Sequence, residues 1–292
     1  MSKDKPINIG ASIRQKLLNK AKLTKRSFNE LLQYYAMERF LYRLSMSDYS
    51  DKFILKGALL FRVWNSDAYR STMDIDMLGK TNNQGKNISN IIKDVLSIKV
   101  EDDGMKFDKN KITSEKITEQ ADYEGIRIKF QGSLDTVKVK IQIDIGFGDI
   151  VYPNPTISSL PTILGAPSPK LFCYSKESCI AEKFETMVKL REINSRMKDF
   201  YDMWLLSKQY SFDYKELTKA ISSTFAKRGT VLPANIMAFS EEFSRLKQDQ
   251  WKAFKNRQDS PEIPDNFSEI INDIHNFLNP VILAIKSEMK DE

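Results

Sequence analysis

Asp74 and Asp76 lie one residue apart in Arg70-Ser71-Thr72-Met73-Asp74-Ile75-Asp76-Met77-Leu78. The segment alternates polar with apolar residues, which is the period of a β-strand. It predicts Thr72, Asp74 and Asp76 on one face and Met73, Ile75 and Met77 on the other. Two carboxylates aimed the same way repel unless a cation lies between them. Hard divalent cations such as Mg²⁺ take carboxylate oxygens and keep part of their shell for substrate phosphates. The spacing therefore leads from a strand to a metal, and from the metal to a nucleotide. Taken alone, an Asp-x-Asp is more often a solvated strand edge, so its neighbours must decide.

Just upstream runs Phe53-Ile54-Leu55-Lys56-Gly57-Ala58-Leu59-Leu60-Phe61. Its first three residues predict a short buried strand. Lys56-Gly57 then turns the chain into a helix carrying Ala58, Leu59, Leu60, Phe61, Val63 and Trp64. A glycine at a strand-to-helix turn lets backbone N–H groups approach a phosphate, and a neighbouring lysine can neutralise it. Such a turn followed by an Asp-x-Asp strand is the layout of a nucleotidyltransferase core.

A third carboxylate, Asp144, lies on the polar face of the predicted strand from Asp135 to Gly146. Val137, Val139, Ile141, Ile143 and Ile145 fill the other face. If that strand lies beside the Asp74–Asp76 strand, three carboxylates meet above one sheet surface, as two-metal phosphoryl transfer requires. A surface acid among lysines is an equally good reading of Asp144 alone, and Asp149 on the following loop competes for the role. Further on, Lys183 borders an apolar helical stripe of Ile180, Phe184, Met187 and Val188. From there it can reach towards a phosphate. Arg196, Asp199 and Asp202 follow at i, i+3 and i+6, which on its own describes an ordinary salt-bridged helix.

These residues need elements to hold them. The 292 residues, 41% of them hydrophobic, suffice for one large domain or two modest ones. The first fifty read as helical: a helix from Ser12 to about Lys22, then another opened by Ser27 with Glu30 as a capping box. Basic residues crowd the first helix and its turn, namely Arg14, Lys16, Lys20, Lys22, Lys25 and Arg26. A packing element with a solvated basic face is the favoured reading over a DNA-reading helix pair, though that face can still touch a nucleic-acid substrate. Ile88 to about Val100 predicts a helix, and Lys111–Thr118 and Gly125–Phe130 predict strands. Tyr152 to Pro169 holds five of the ten prolines and reads as an extended connection. Helical patterns follow over Glu216–Phe225, Met237–Phe254 and Phe267–Ser287.

Composition excludes several classes. The single histidine, His275, argues against His-dependent catalysis and reads as a helix surface position. Cys173 and Cys179 fit no zinc pattern and are expected to be reduced. No apolar run reaches the length of a membrane span, and Met1-Ser2-Lys3-Asp4-Lys5-Pro6 lacks a secretory stretch, so the expected location is cytoplasmic. A net charge of +6 suits a nucleic-acid partner.

The ordered set of motifs resembles the AbiEii/AbiGii toxin family of nucleotidyltransferases, whose core is similar to that of DNA polymerase β-type enzymes. The set runs from Ser12-Ile13-Arg14-Gln15, through Glu38–Ser45 and Phe53–Ala58, to Arg70–Asp76. Glu182-Lys183 and Arg196-x-Lys198-Asp199-x-x-Asp202 resemble the family's last motif. The resemblance covers roughly residues 8 to 210 and departs at Ala58, where many members carry a second glycine. It implies a toxin of a type IV toxin–antitoxin or phage-abortive system, an NTP donor, Mg²⁺ or Mn²⁺, a cognate antitoxin and, for some members, a tRNA acceptor end as target. It also implies that Lys56 and Gly57 hold the triphosphate, with Arg70 and Thr72 flanking the metal site. Asp74, Asp76 and Asp144 would bind metal. Lys183 would serve nucleotide binding and catalysis, with Asp199 catalytic and Arg196 on the nucleotide.

The expected architecture is α/β (α+β). A helical arm (1–52) precedes a nucleotidyltransferase-type mixed β-sheet core (53–151), a proline-rich connection (152–175) and a helical C-terminal domain (176–292). The expected reaction moves a nucleoside monophosphate from an NTP to an RNA hydroxyl. Two alternatives remain at this level. One modifies a protein or small-molecule hydroxyl; the other is a catalytically dead nucleic-acid-binding protein, against which the retained carboxylates and Lys56 argue.

Overall fold

The computed structural model describes residues 8–65, 70–119, 123–258 and 262–291. Among them the chain forms nine α-helices and seven β-strands, in two compact units. The first holds the described residues within Met1–Asn65, Ser71–Gly148 and Thr156–Cys173. The second holds those within Ser66–Arg70, Asp149–Pro155 and Tyr174–Glu292.

The first unit is built on one mixed sheet. Its strands are β1 (Phe53–Lys56), β2 (Ile75–Gly79), β3 (Met105–Glu119), β4 (Tyr123–Leu134), β5 (Val137–Phe147), β6 (Thr156–Ser159) and β7 (Lys170–Cys173), in the order β3-β4-β5-β2-β1-β7-β6. β2 runs parallel to β5, and β1 parallel to β7; the other pairs are antiparallel. The proline-rich stretch thus supplies two short strands, β6 and β7, where the sequence suggested only a connection. The alternation in β5 is as read: Val139, Ile141, Ile143 and Ile145 are buried. In the run before β2 it is not. Met73 is 55% exposed while Thr72 is buried, because the strand begins only at Ile75 and Asp74 stands just before it.

Helices α1 (Ile9–Thr24), α2 (Phe28–Ser45), α3 (Leu60–Val63) and α4 (Gly85–Ser97) complete this unit. Ser27 caps α2 by accepting from the Glu30 N–H, as its type predicts. α2 is buried nearly all round, including Gln33, Glu38, Arg39 and Arg43. Each of these polar side chains has a partner, as burial demands. Arg43 makes a bidentate pair with Asp103 at 2.7 and 3.1 Å. Glu38 accepts from the Ile163 N–H at 2.8 Å, and Arg39 donates to the Pro167 carbonyl at 2.9 Å. Burial raises the Glu38 carboxyl to about 7, with Arg39 opposing the shift.

The second unit is helical: α5 (Lys176–Leu190), α6 (Met197–Gln209), α7 (Tyr214–Arg228), α8 (Glu241–Lys255) and α9 (Phe267–Asp291). Its core is aromatic. Phe184 packs with Phe225 and Phe239; Phe200, Phe243, Phe267 and Trp251 form a second cluster. His275 is exposed on α9 and stacks on Phe239. Cys173 and Cys179 are buried thiols pushed up to about 12 by burial, so neither is a nucleophile near neutral pH. No described helix is long and apolar enough to cross a membrane.

Candidate active site

The parallel pairing of β2 with β5 sets Asp76 directly beside Asp144. Asp74 stands two residues before Asp76, and the three half-buried side chains each offer a carboxylate oxygen within 4.8 Å of the others. This is the cluster the sequence predicts. Non-local register, not local pattern, makes it: a one-residue slip of β5 would turn Asp144 to the other face. Among the described residues this is the one group of three or more His, Cys, Asp or Glu so disposed.

Neighbouring groups hold it in place. The Thr72 hydroxyl donates to Asp74 Oδ1 at 2.6 Å. Gln33 of α2 donates from Nε2 to the Met73 carbonyl at 2.8 Å and to the Lys140 carbonyl at 3.0 Å, tying the approach to β2 against β5. Lys56 pairs in register with Asp76 across β1 and β2. Gly57 follows with φ +74°, and any side chain there would overlap the Asp76 carboxylate. The glycine is therefore required twice, for its backbone and for the carboxylate against it. The helix after it is a 3₁₀ turn (Gly57–Leu59) running into the four residues of α3. That is shorter than the sequence suggests, so a helix dipole adds little here.

Arg127 of β4 stands opposite Asp144. It donates to both carboxylate oxygens, Nε at 2.8 Å and Nη2 at 2.7 Å. The hydrogen bond to Asp144, followed by the charges of Asp144, Glu115 and Asp74, holds the guanidinium above its usual range. Sequence reasoning missed both Arg127 and Gln33. Arg127 could have been found only by knowing the β4–β5 register. Gln33 sits inside an otherwise apolar helix stripe, a position that asks for a partner.

Three carboxylates with hard oxygen donors, crowded enough to repel, fit a Mg²⁺-type ion. Arg127 answers part of the charge on Asp144.

The remaining predicted residues meet within the second unit. Lys183 of α5 is 13% exposed and donates to Asp199 at 2.7 Å and to Asp202 at 3.0 Å. Arg70 donates to both oxygens of Asp202, at 2.9 and 3.0 Å. Arg196, just before α6, donates to Asp199 at 2.7 Å. Burial alone would raise both acids, but the cations win. Lys183 and Arg196 lower Asp199, and Arg70 and Lys183 lower Asp202. Lys183 is opposed by burial too, and Asp199 and Asp202 hold its ammonium above the ordinary range. Asp199 and Asp202 thus share Lys183. The ordinary salt-bridged helix is only part of the arrangement, since Arg70 and Lys183 come from elsewhere in the chain.

Asp149 is not in the carboxylate cluster. Arg228 of α7 donates to it at 3.0 Å, and to the fully buried Glu185 at 2.8 Å.

The family model described as "Nucleotidyl transferase AbiEii toxin, Type IV TA system" matches residues 39–273. A crystal structure from H. pylori, provisionally described as a nucleotidyltransferase, is 14% identical with a TM-score of 0.50, covering 89% of this chain and 98% of its own. JHP933 from Helicobacter pylori is 12% identical with a TM-score of 0.49, covering 89% and 95%. Among curated proteins there is no match.

Proposed function

Because the chain belongs to the AbiEii nucleotidyltransferase toxin family of type IV toxin–antitoxin systems, we propose that the Asp74–Asp76–Asp144 cluster transfers a nucleoside monophosphate from an NTP to an RNA hydroxyl. Membership makes the chain a nucleotidyltransferase and implies a cognate antitoxin. The RNA acceptor, with a tRNA acceptor end as the first candidate, and the metal dependence are our reading. The observation that carries it is the register pair Asp76–Asp144, with Asp74 beside it.

In this reading the acceptor oxygen attacks the α-phosphorus of the NTP and a phosphodiester bond forms. The bond between the α-phosphorus and the bridging oxygen breaks, and pyrophosphate leaves. The hydroxyl proton passes to a carboxylate of the cluster. Asp74, Asp76 and Asp144 would hold Mg²⁺ or Mn²⁺, which when bound would acidify the attacking hydroxyl and neutralise phosphate charge. Thr72 fixes the Asp74 carboxylate. Gly57 leaves room for Asp76 and exposes backbone to the triphosphate, with Lys56 beside it. Positioning and electrostatics supply most of the rate in phosphoryl transfer, since the protein forms no covalent bond. Within the second unit Asp199 and Asp202 fix the Lys183 ammonium, and Arg196 and Arg70 hold the two acids.

The test is incubation with Mg²⁺, total RNA and each NTP in turn, labelled at the α- or the γ-phosphate. Label should enter RNA from the α-position of at least one NTP and never from the γ-position. Transfer of γ-label would mean a kinase, and label on protein alone would move the acceptor to a side chain.

A further inference from the structure

Helix α1 and the turn after it, Asn8 to Ser27, contain Arg14, Lys16, Lys20, Lys22, Lys25 and Arg26 and no acidic residue. Six of the chain's 45 basic side chains fall here and none of its 39 acidic ones, so the rest of the chain is balanced at 39 against 39. The whole net charge of +6 therefore resides in one element.

That element packs on α2 and β4 along one face, with Leu17 buried, and carries its cations outside that contact. Its start is pressed onto two turns of the first unit. A side chain at Gly104 would strike the Gly10 backbone, and one at Gly10 would crowd the Asp135 backbone at 3.1 Å. Arg14 reaches Asp135 at 3.6 Å, and Arg26 pairs with Glu30 at 3.0 Å. The other four cations, Lys16, Lys20, Lys22 and Lys25, make no ion pair with a described residue. Lys16, Lys22 and Lys25 are exposed, and Leu17 is the helix's single buried residue. Four like charges within ten residues, none balanced nearby, cost free energy by mutual repulsion and gain it when a polyanion binds.

The position selects the kind of polyanion. Asp135, where α1 is anchored, and Asp144, in the carboxylate cluster, lie at opposite ends of the same hairpin arm. At about 3.3 Å per strand residue they stand roughly 25–30 Å apart. The four lysines themselves are strung over nine residue steps, about 13 Å of helix rise, which one triphosphate would not match, whereas a nucleic acid offers a phosphate at every step. We propose that α1 and its turn form a docking surface for the phosphate backbone of the acceptor RNA, holding it at a distance from the hydroxyl that reacts. This rests on the RNA-acceptor reading above.

The experiment compares wild type with the quadruple variant Lys16→Ala/Lys20→Ala/Lys22→Ala/Lys25→Ala. A control, Lys93→Ala/Lys99→Ala/Lys109→Ala/Lys111→Ala, removes the same charge from exposed positions in α4, in β3 and between them. Binding of a labelled RNA hairpin is measured as a function of salt, with ATP binding and RNA-labelling kinetics alongside. Removing one lysine–phosphate pairing should reduce the salt slope by about 0.7–0.9, so the slope of the quadruple variant should fall by roughly three. Its KM for RNA should rise at least about tenfold, a scale set by the same counterion release, with kcat and ATP affinity unchanged. The control should behave as wild type. Equal behaviour of the two variants overturns the surface. So does loss of binding to phosphatidylserine vesicles with RNA binding intact, which would make α1 a membrane contact. If wild type labels no RNA, the proposed reaction fails, and the salt slope of RNA binding still judges the surface by itself.

Discussion

Two clusters in this protein use the same residue types and reach opposite ends. In the first unit three carboxylates crowd together, half-buried, with Arg127 on one of them. In the second unit two carboxylates, 4% and 1% exposed, lie among three cations, Lys183, Arg70 and Arg196. The acid-rich cluster brings three like charges within 4.8 Å of one another and gains from a further cation. The base-rich cluster is already neutralised, and its acids are held below the usual carboxylate range. Local charge balance, set by which strands and helices bring the groups together, separates a site poised to bind from one built to hold.

The sharpest way to break this comparison is to remove one charge from the buried cluster. Lys183→Ala takes from both buried carboxylates the cation they share, leaving Arg70 on Asp202 and Arg196 on Asp199, and losing such charge-assisted hydrogen bonds costs about 1.5–3 kcal/mol. The expected result is a large drop in melting temperature. Lys215→Ala, at an exposed position of α7 in the same unit, should cost about 0.5 kcal/mol or less. Arginine at 183 keeps the charge and should recover much of the stability, so its nucleotide affinity reports the lysine's role apart from folding. If Lys183→Ala melts like wild type, the second cluster is not the rigid assembly described.

Stability against pH should show opposite slopes from different buried acids. Glu38 titrates at about 7 when folded against 4.5 when exposed. Its folded-state value is raised, so its contribution is full below about 4.5 and is lost as pH rises to about 7. The shift corresponds to at most about 3 kcal/mol. Glu38→Gln should flatten denaturant-midpoint curves across that window. Asp199 and Asp202 are depressed, so their contribution is present above about 4, the unfolded carboxyl value, and is lost as pH falls further. Asp202→Asn should reduce that acid-side loss and leave the Glu38 window unchanged.

Gly57→Ala is smaller and more local. A residue with a side chain at φ +74° costs about 1–3 kcal/mol, and the methyl group also displaces Asp76. Transfer activity should fall by more than the stability loss explains, measured at a temperature where the variant is fully folded. A proportional fall in both would mean the turn serves folding alone.

Much of this was legible in the chain itself. The period of β5 and the Ser27 cap of α2 follow from local spacing, and so does the choice of Asp74, Asp76 and Asp144 as candidates, while their meeting depends on the β2–β5 register. What was not legible depends on register and tertiary context. Met73 looked buried because alternation does not say where a strand begins. β6 and β7 were hidden by prolines and by their length of four residues each. Arg127 reaches Asp144 only through antiparallel pairing, and Arg70 reaches Asp202 across 132 residues of sequence. The Lys183 network looked like a surface helix because local spacing joins only Arg196, Asp199 and Asp202, and burial is not visible in a helix pattern.

The central claim is that the acid-rich cluster performs transfer and is not needed to hold the fold. Asp76→Ala tests it most directly, by RNA labelling from α-labelled NTP with Mg²⁺ beside a melting curve without metal. The expected result is at least about a hundredfold loss of labelling, the scale of removing one electrostatic element of a reaction site. Melting should be nearly unchanged, since Asp76 is half-buried and points away from the core face that Ile75 and Met77 fill. Labelling equal to wild type, or a protein that fails to fold, would contradict it.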